Sequence, residues 1–348
     1  MRWENLSAPP DEGHPDRAAP ATPPLPLALP GAIARTFDTP GFAGMTFYEV
    51  QAKSIINKVP GSSRVPFEWT INPYRGCSHA CVYCFARNTH IYLDLDAGAD
   101  FDRKVIVKVN AGELVRRELA APRWRGAHIA MGTNVDCYQR AEGRYRLMPP
   151  IIEALRDFAN PFSILTKGTL ILRDLPLLRQ AAEVTQVSVS YSVGFVDEAL
   201  WRTVEPGTPS PRRRLDAVRA LTDAGFEVGV LMAPILPGLS DTDESIEATV
   251  SAVAAAGAAS VTPMALHLRP GAREWYAHWL AREFPHLVPR YRELYQAGAY
   301  APQAYQRELT ARVRIAARRH GLHRGERGDN RRLPTSEAPP AAEQLSLL

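Results

Sequence analysis

Six short runs rich in β-branched residues, separated by stretches whose apolar residues recur at helical spacing, limit what this 348-residue chain can fold into. The runs are Trp69 to Asn72, His128 to Met131, Phe162 to Thr166, Gln186 to Tyr191, Glu227 to Met232 and Ser260 to Met264. Between them, Met148 to Ala159, Asp174 to Ala182, Arg212 to Ala224 and Asp243 to Ala256 read as amphipathic helices. Two of these end in Ala224-Gly225 and Ala256-Gly257, where glycine closes the helix and a short loop leads into the next strand. Strands joined by helices run parallel, because each helix carries the chain back to the starting edge. An α/β fold follows, either a partial (β/α) barrel or a doubly wound sheet, and patterning alone leaves both open.

The flanks lack this pattern. Residues 1–40 are dominated by Pro and Ala (Pro9-Pro10, Pro23-Pro24-Leu25-Pro26) and read as a disordered tail, as do residues 326–348. That leaves a core domain over 41–270 and a helical extension over 271–325, whose Trp275, Tyr276 and Trp279 are expected to pack on the core, or else to cover a substrate entrance. No run approaches the roughly 20 apolar residues of a membrane helix. Glu4, Pro9, Pro10 and Asp11 stand where a signal peptide would carry its apolar core, so the expected compartment is the cytoplasm. A net charge of +4 names no partner by itself.

The chemistry concentrates in Asn72-Pro73-Tyr74-Arg75-Gly76-Cys77-Ser78-His79-Ala80-Cys81-Val82-Tyr83-Cys84-Phe85. Three of the four cysteines stand here with the spacing C-x3-C-x2-C, which in a reducing compartment reads as a metal site. Structural zinc prefers four ligands in two knuckles, and a second Cys pair is missing, although His79 or Cys137 could close such a site. A cubane [4Fe–4S] cluster held by three thiolates keeps one iron open for another ligand.

The loop, with aromatic Tyr83 before its last Cys, resembles the signature of the radical S-adenosylmethionine (SAM) superfamily. With Thr133-Asn134-Val135-Asp136 and Leu165-Thr166-Lys167-Gly168, the segment Asn72 to Arg87 is similar to the spore photoproduct lyase-like branch, over roughly Tyr48 to Arg269. The resemblance implies a partial (β/α)6 TIM-like barrel, with the helical extension and disordered termini outside it. It also implies a [4Fe–4S] cluster on Cys77, Cys81 and Cys84, whose open iron chelates SAM for reductive cleavage to a 5′-deoxyadenosyl radical. An external electron donor such as a flavodoxin or ferredoxin is implied with it. Functional residues are then expected at the C-terminal ends of the strands.

Carried over residue by residue, the resemblance places Lys167, Asn134, Ser190 and the backbone of Ala233 at SAM, and marks Tyr83 as a candidate catalytic residue. Two departures stand out. The lyase has a hydrogen-donor Cys where this chain has Gly132, and a Tyr where it has Phe85, so Cys137 becomes the candidate hydrogen donor. Glu205, Arg214 and Asp241 read as cap and turn residues, and His128, His267 and His278 as isolated histidines. The basic run Arg312, Arg314, Arg318, Arg319, His320, His323 and Arg324, with Arg331-Arg332, suits phosphates or a solvated helix face. Nucleic acid is the favoured substrate class. The alternatives are modification of a protein or small molecule, and a zinc-stabilised binding protein without catalysis.

Overall fold

The computed structural model of the chain describes residue 29 and residues 31–60 and 65–322. Strands in chain order are β1 (Ile33–Arg35), β2 (Thr46–Val50), β3 (Ile56–Lys58), β4 (Trp69–Ile71), β5 (Tyr74–Arg75), β6 (Lys104–Lys108), β7 (Ile129–Met131), β8 (Phe162–Thr166), β9 (Val187–Ser192), β10 (Val228–Ile235) and β11 (Ser260–Ala265). All six runs read from the sequence are strands, to within a few residues at their ends.

These six form one parallel array, β4-β7-β8-β9-β10-β11, and β3 adds antiparallel to β4 at the far edge. The sheet ends at β11 on one side and β3 on the other, which makes it an open, partial (β/α)6 barrel. Helices Met148–Asp157, Leu175–Val184, Pro211–Asp223 and Asp243–Ala255 follow successive turns of the chain where the periodicity placed them. Thr242 caps the last of these by accepting from the Ser245 N–H.

Strand alternation gives the sheet two unlike faces. Ile164, Val189 and Val228 lie in register and are fully buried in the core, together with Leu178, Ala217 and Val218 of the helices. One residue further on, Leu165, Ser190, Gly229 and Ser260 are in register and only half-buried. The helices thus cover the apolar face, and the opposite face, carrying Leu165, Ser190, Gly229 and Ser260, forms the inner wall, or lumen side, of the partial barrel.

A second sheet, β1-β2-β6-β5, escaped the sequence reading. Its two-residue β5 pairs with β6 at Tyr74↔Val107 and Arg75↔Ile106, and so fixes the start of the cysteine loop. The tail boundary at residue 40 also needs correction: Ile33–Arg35 pairs antiparallel with β2, and Leu29 is fully buried beneath it. The local composition is poor in strand signals, and pairing with β2 overrides it. Residues 1–28, 30 and 323–348 lie outside the described residues.

The extension is helical, as expected, over Ala272–Glu283, Val288–Leu294 and Gln303–Arg319. Tyr276 and Trp279 pack in one apolar cluster with Cys81, Val82 and Tyr83, so the extension covers the cysteine loop. Among the described residues, no helix is long and apolar enough to cross a membrane.

Candidate functional site

The three cysteines follow β4, the first strand of the parallel array, at its C-terminal end. Because a loop has no ladder, its polar backbone groups must find other partners if it is buried. Gln139, fully buried, accepts from the Ser78 N–H at 2.8 Å and donates to the Gly76 carbonyl at 2.9 Å. Arg87, also fully buried, donates to the Cys81 carbonyl at 3.0 Å and pairs with Asp102 at 2.8 Å. The Val82 N–H donates to the Val204 carbonyl and the Gly207 N–H to the His79 carbonyl, each at 3.0 Å. At Gly207 the approach is so close that a Cβ would stand 2.0 Å from the Ser78 carbonyl oxygen.

Burial pushes all three thiols above the ordinary range. Cys77 rises well above it, with Asp136, Cys81 and Cys84 adding to the effect of burial. Cys81 is pushed up to about 12 by burial, the nearby Lys167 charge opposing. Cys84 is raised by burial against the Arg87 charge. Thiols on one short loop become thiolates against a strong local cation, which a bound metal supplies, and three of them at the spacing C-x3-C-x2-C suit a cubane cluster with one iron left open. This donor set therefore fits an iron–sulfur cluster. His79, one candidate for a fourth zinc ligand, instead pairs with Asp136 at 3.4 Å. Cys137, the other, is fully buried in the main apolar core. Among the described residues, no three His, Cys, Asp or Glu side chains are grouped to hold one metal ion.

Lys167 stands at the end of β8, half-buried, with its ammonium nitrogen 5.8 Å from the centroid of the Tyr83 ring. Among the described residues that ammonium has no hydrogen-bond acceptor or ion-pair partner, so it remains available to an anionic ligand. Its backbone N–H donates to Asp136. Asn134, half-buried on the loop after β7, likewise makes no side-chain hydrogen bond among the described residues. Ser190 faces the lumen, beside Gly229. The Ala233 carbonyl accepts from Ser192 Oγ at 2.9 Å, which ties the ends of β9 and β10 together. Lys167 and Tyr83 are thus beside the cysteine loop, while Ser190 sits on the lumen wall.

Cys137 is different. With no exposed surface, it presents no thiol to the lumen, and the hydrogen-donor role expected of it has no route there in this structure.

Glu205 does cap the C-terminal end of helix Glu198–Val204, and its carbonyl accepts from the Thr208 N–H at 3.0 Å, as expected of a cap and turn residue, but its side chain and that of Arg214 do more. Both are buried, and the Arg214 guanidinium pairs with the Glu205 carboxylate, which also accepts from the Tyr83 hydroxyl. Arg214 donates further to the carbonyls of Ser192 and Pro209, at 2.9 and 3.0 Å. Their only sequence signal was two charged residues inside an otherwise buried pattern. Asp241 does serve a turn, accepting from the Gly238 N–H at 2.6 Å. His267 is also less isolated than expected, stacking on Tyr300 and lying 5.5 Å from the Phe85 ring.

A three-cysteine loop at the mouth of a partial barrel is the arrangement of the radical SAM superfamily, and a family model of that description matches residues 71–252. The chain belongs to the radical SAM superfamily. It is an enzyme of that class, with a [4Fe–4S] cluster and SAM as cofactors. Among solved structures, a mutant of spore photoproduct lyase has a similar fold, with a TM-score of 0.58 at 16% identity over 79% of each chain. Another mutant of that lyase, with bound AdoMet and dinucleoside spore photoproduct, reaches a TM-score of 0.59 at 16% identity over 78% of each chain. In sequence, the chain is 49% identical to the uncharacterized protein Rv2578c of Mycobacterium tuberculosis, over 91% of this chain and 92% of that one. It is 29% identical to an uncharacterized protein of Methanocaldococcus jannaschii, over 58% of this chain and 72% of that one.

Proposed function

We propose that Cys77, Cys81 and Cys84 hold the cluster, that SAM lies between the cysteine loop and Lys167, and that the substrate in the lumen is a nucleic acid. The observation that carries the cofactor assignment is the Lys167 ammonium, without a hydrogen-bond acceptor or ion-pair partner among the described residues, beside a loop with two buried thiols and one half-buried thiol. Bound together, cluster and SAM supply a 5′-deoxyadenosyl radical, given an electron from an external donor.

The chain's own residues do the positioning. Lys167 offers a charge-assisted hydrogen bond to the SAM carboxylate. Asn134 offers an amide to the same cofactor, and Ser190 and the Ala233 backbone line its adenosine side. The helical extension, packed on Cys81, Val82 and Tyr83, keeps water from the loop.

Support for nucleic acid comes from two directions. A lyase of similar fold is known with a dinucleoside ligand. In addition, Arg307, Arg314 and Arg318 are exposed on one face of Gln303–Arg319, where they suit phosphates. The other basic residues there are engaged: Arg312 pairs with Asp243, and Arg319 and His320 pair with Glu247. His323, Arg324, Arg331 and Arg332 lie outside the described residues. Gly132 and the buried Cys137 favour a reaction other than the lyase's own hydrogen return, so modification of a different substrate remains the second reading.

The test is anaerobic incubation of cluster-replete protein with dithionite and SAM, followed by chromatography for 5′-deoxyadenosine, with Cys84→Ala as control. Product only in the parent is expected, and oligonucleotides that accelerate it identify the substrate class. A replete protein that binds SAM and yields no product, with or without nucleic acid, would overturn the reading.

A further inference from the structure

The Glu205–Arg214 pair has no place in the roles assigned so far. A buried ion pair is a poor stabilising device, since desolvating two charges offsets much of their attraction. This one is nevertheless bonded at every reach. Glu205 receives the Tyr83 hydroxyl on one oxygen and Arg214 on the other. Arg214 is anchored to the end of β9 through the Ser192 carbonyl, and Ser192 in turn reaches the end of β10 through the Ala233 carbonyl. Tyr83, between two of the three clustered cysteines, carries the Lys167 ammonium against its ring face.

The chain of contacts therefore runs from two barrel strands, through Arg214 and Glu205, to the cysteine loop and finally to Lys167. Its charges alternate: guanidinium, carboxylate, then ammonium across the phenol ring. Burial alone would raise Glu205, but Arg214, Lys167 and the two hydrogen bonds bring it below the ordinary range, so it is ionised. Its charge stands at the cysteine loop: the Tyr83 hydroxyl donates to the carboxylate itself, and Val204, its neighbour in the chain, accepts from the Val82 N–H at 3.0 Å.

From this geometry, and resting on the radical SAM reading above, we infer that Glu205 is a positioning residue for the cofactor site. Through Tyr83 it fixes the ring on which the Lys167 ammonium rests, and it sets one negative charge beside the cluster. Losing that charge would favour the more negative, reduced cluster. Losing the Tyr83 hydrogen bond would free the ring and, with it, Lys167.

Two variants separate these effects in cluster-reconstituted protein. Glu205→Gln keeps the shape and an acceptor for Tyr83 but removes the charge. Tyr83→Phe keeps the ring and the charge but cuts the link. With iron content equal to the parent, Glu205→Gln is expected to move the cluster midpoint potential in the positive direction in a redox titration followed by electron paramagnetic resonance. Tyr83→Phe is expected to leave the potential close to the parent's and to weaken SAM about tenfold in equilibrium dialysis, which corresponds to a contact of about 1.4 kcal/mol.

A merely structural pair would lower thermal stability in Glu205→Gln and leave potential and SAM affinity unchanged, and that result overturns the inference. If Glu205→Gln does not fold, Tyr83→Phe decides alone, and parent-like SAM binding in it overturns the inference. A parent that takes up no iron or binds no SAM is a separate outcome, which removes the radical SAM reading and this inference together.

Discussion

The backbone N–H of Lys167 donates to Asp136 Oδ2 at 2.7 Å, which couples the loop after β7 to the end of β8. The same carboxylate accepts from Thr166 Oγ1 at 2.7 Å and from the Tyr138 N–H at 2.9 Å, and pairs with His79 of the cysteine loop. Burial alone would push Asp136 up. The His79 charge and the three kinds of hydrogen bond prevail and hold it at about 2. Asp136 thus fixes the backbone of Lys167 and leaves its side chain to the lumen.

That arrangement makes Lys167→Ala informative. The backbone bond to Asp136 survives the substitution, so fold and iron content are expected to match the parent. SAM affinity is expected to fall by roughly 1.5 to 3 kcal/mol, the worth of a hydrogen bond to a charged group. Equilibrium dialysis with labelled SAM measures it, and parent-like affinity would return Lys167 to the role of a solvated loop residue.

Single Cys→Ala variants test the ligand set. Cys77→Ala, Cys81→Ala and Cys84→Ala are each expected to lose most of their iron and acid-labile sulfide after anaerobic reconstitution. Cys137→Ala is expected to keep both, because Cys137 stands outside the C-x3-C-x2-C loop. Iron retained in Cys81→Ala, or lost in Cys137→Ala, would redraw the set.

Gly132 has φ of +75°, and a Cβ there would stand 1.8 Å from the Leu165 carbonyl oxygen. A cysteine therefore cannot be installed at this position without moving β8. Gly132→Cys is expected to destabilise the protein by roughly 3 kcal/mol. A Gly132→Cys protein with the parent's melting temperature would contradict this and reopen lyase-type hydrogen return from that position.

His90 provides a pH dependence. Fully buried behind the cysteine loop, it is lowered to about 4, chiefly by burial, with the Lys104 carbonyl opposing. The unfolded chain takes up its proton near pH 6.5 and the folded one only near 4, so stability is full above the first value and falls as pH drops toward the second. The loss over that window is about 3 kcal/mol. Chemical denaturation of the parent and of His90→Phe at pH 7 and pH 4.5 should show the parent losing more. Equal losses would mean that His90 titrates normally.

Much of the barrel was legible because periodicity is a local property. Val187-Ser188-Val189-Ser190 shows its alternation within four residues, and the structure buries the valine at 189 against the helices while turning Ser190 to the lumen. The cysteine loop was legible for the same reason, since its chemistry is written in eight consecutive residues.

What sequence alone determined is therefore the serial βα order, the parallel sheet it imposes and the position of the thiols after the first parallel strand. The tertiary structure decided which side chains meet at the site. Tyr83 and Glu205 are 122 residues apart, and β2 finds β6 across a stretch that contains the whole cysteine loop. Ile33–Arg35 becomes a strand only because β2 offers a free edge. Pairings of this kind leave no periodic trace in the chain. A buried polar group must be satisfied by whichever partner the fold brings within reach, and that choice is made by the packing of distant elements.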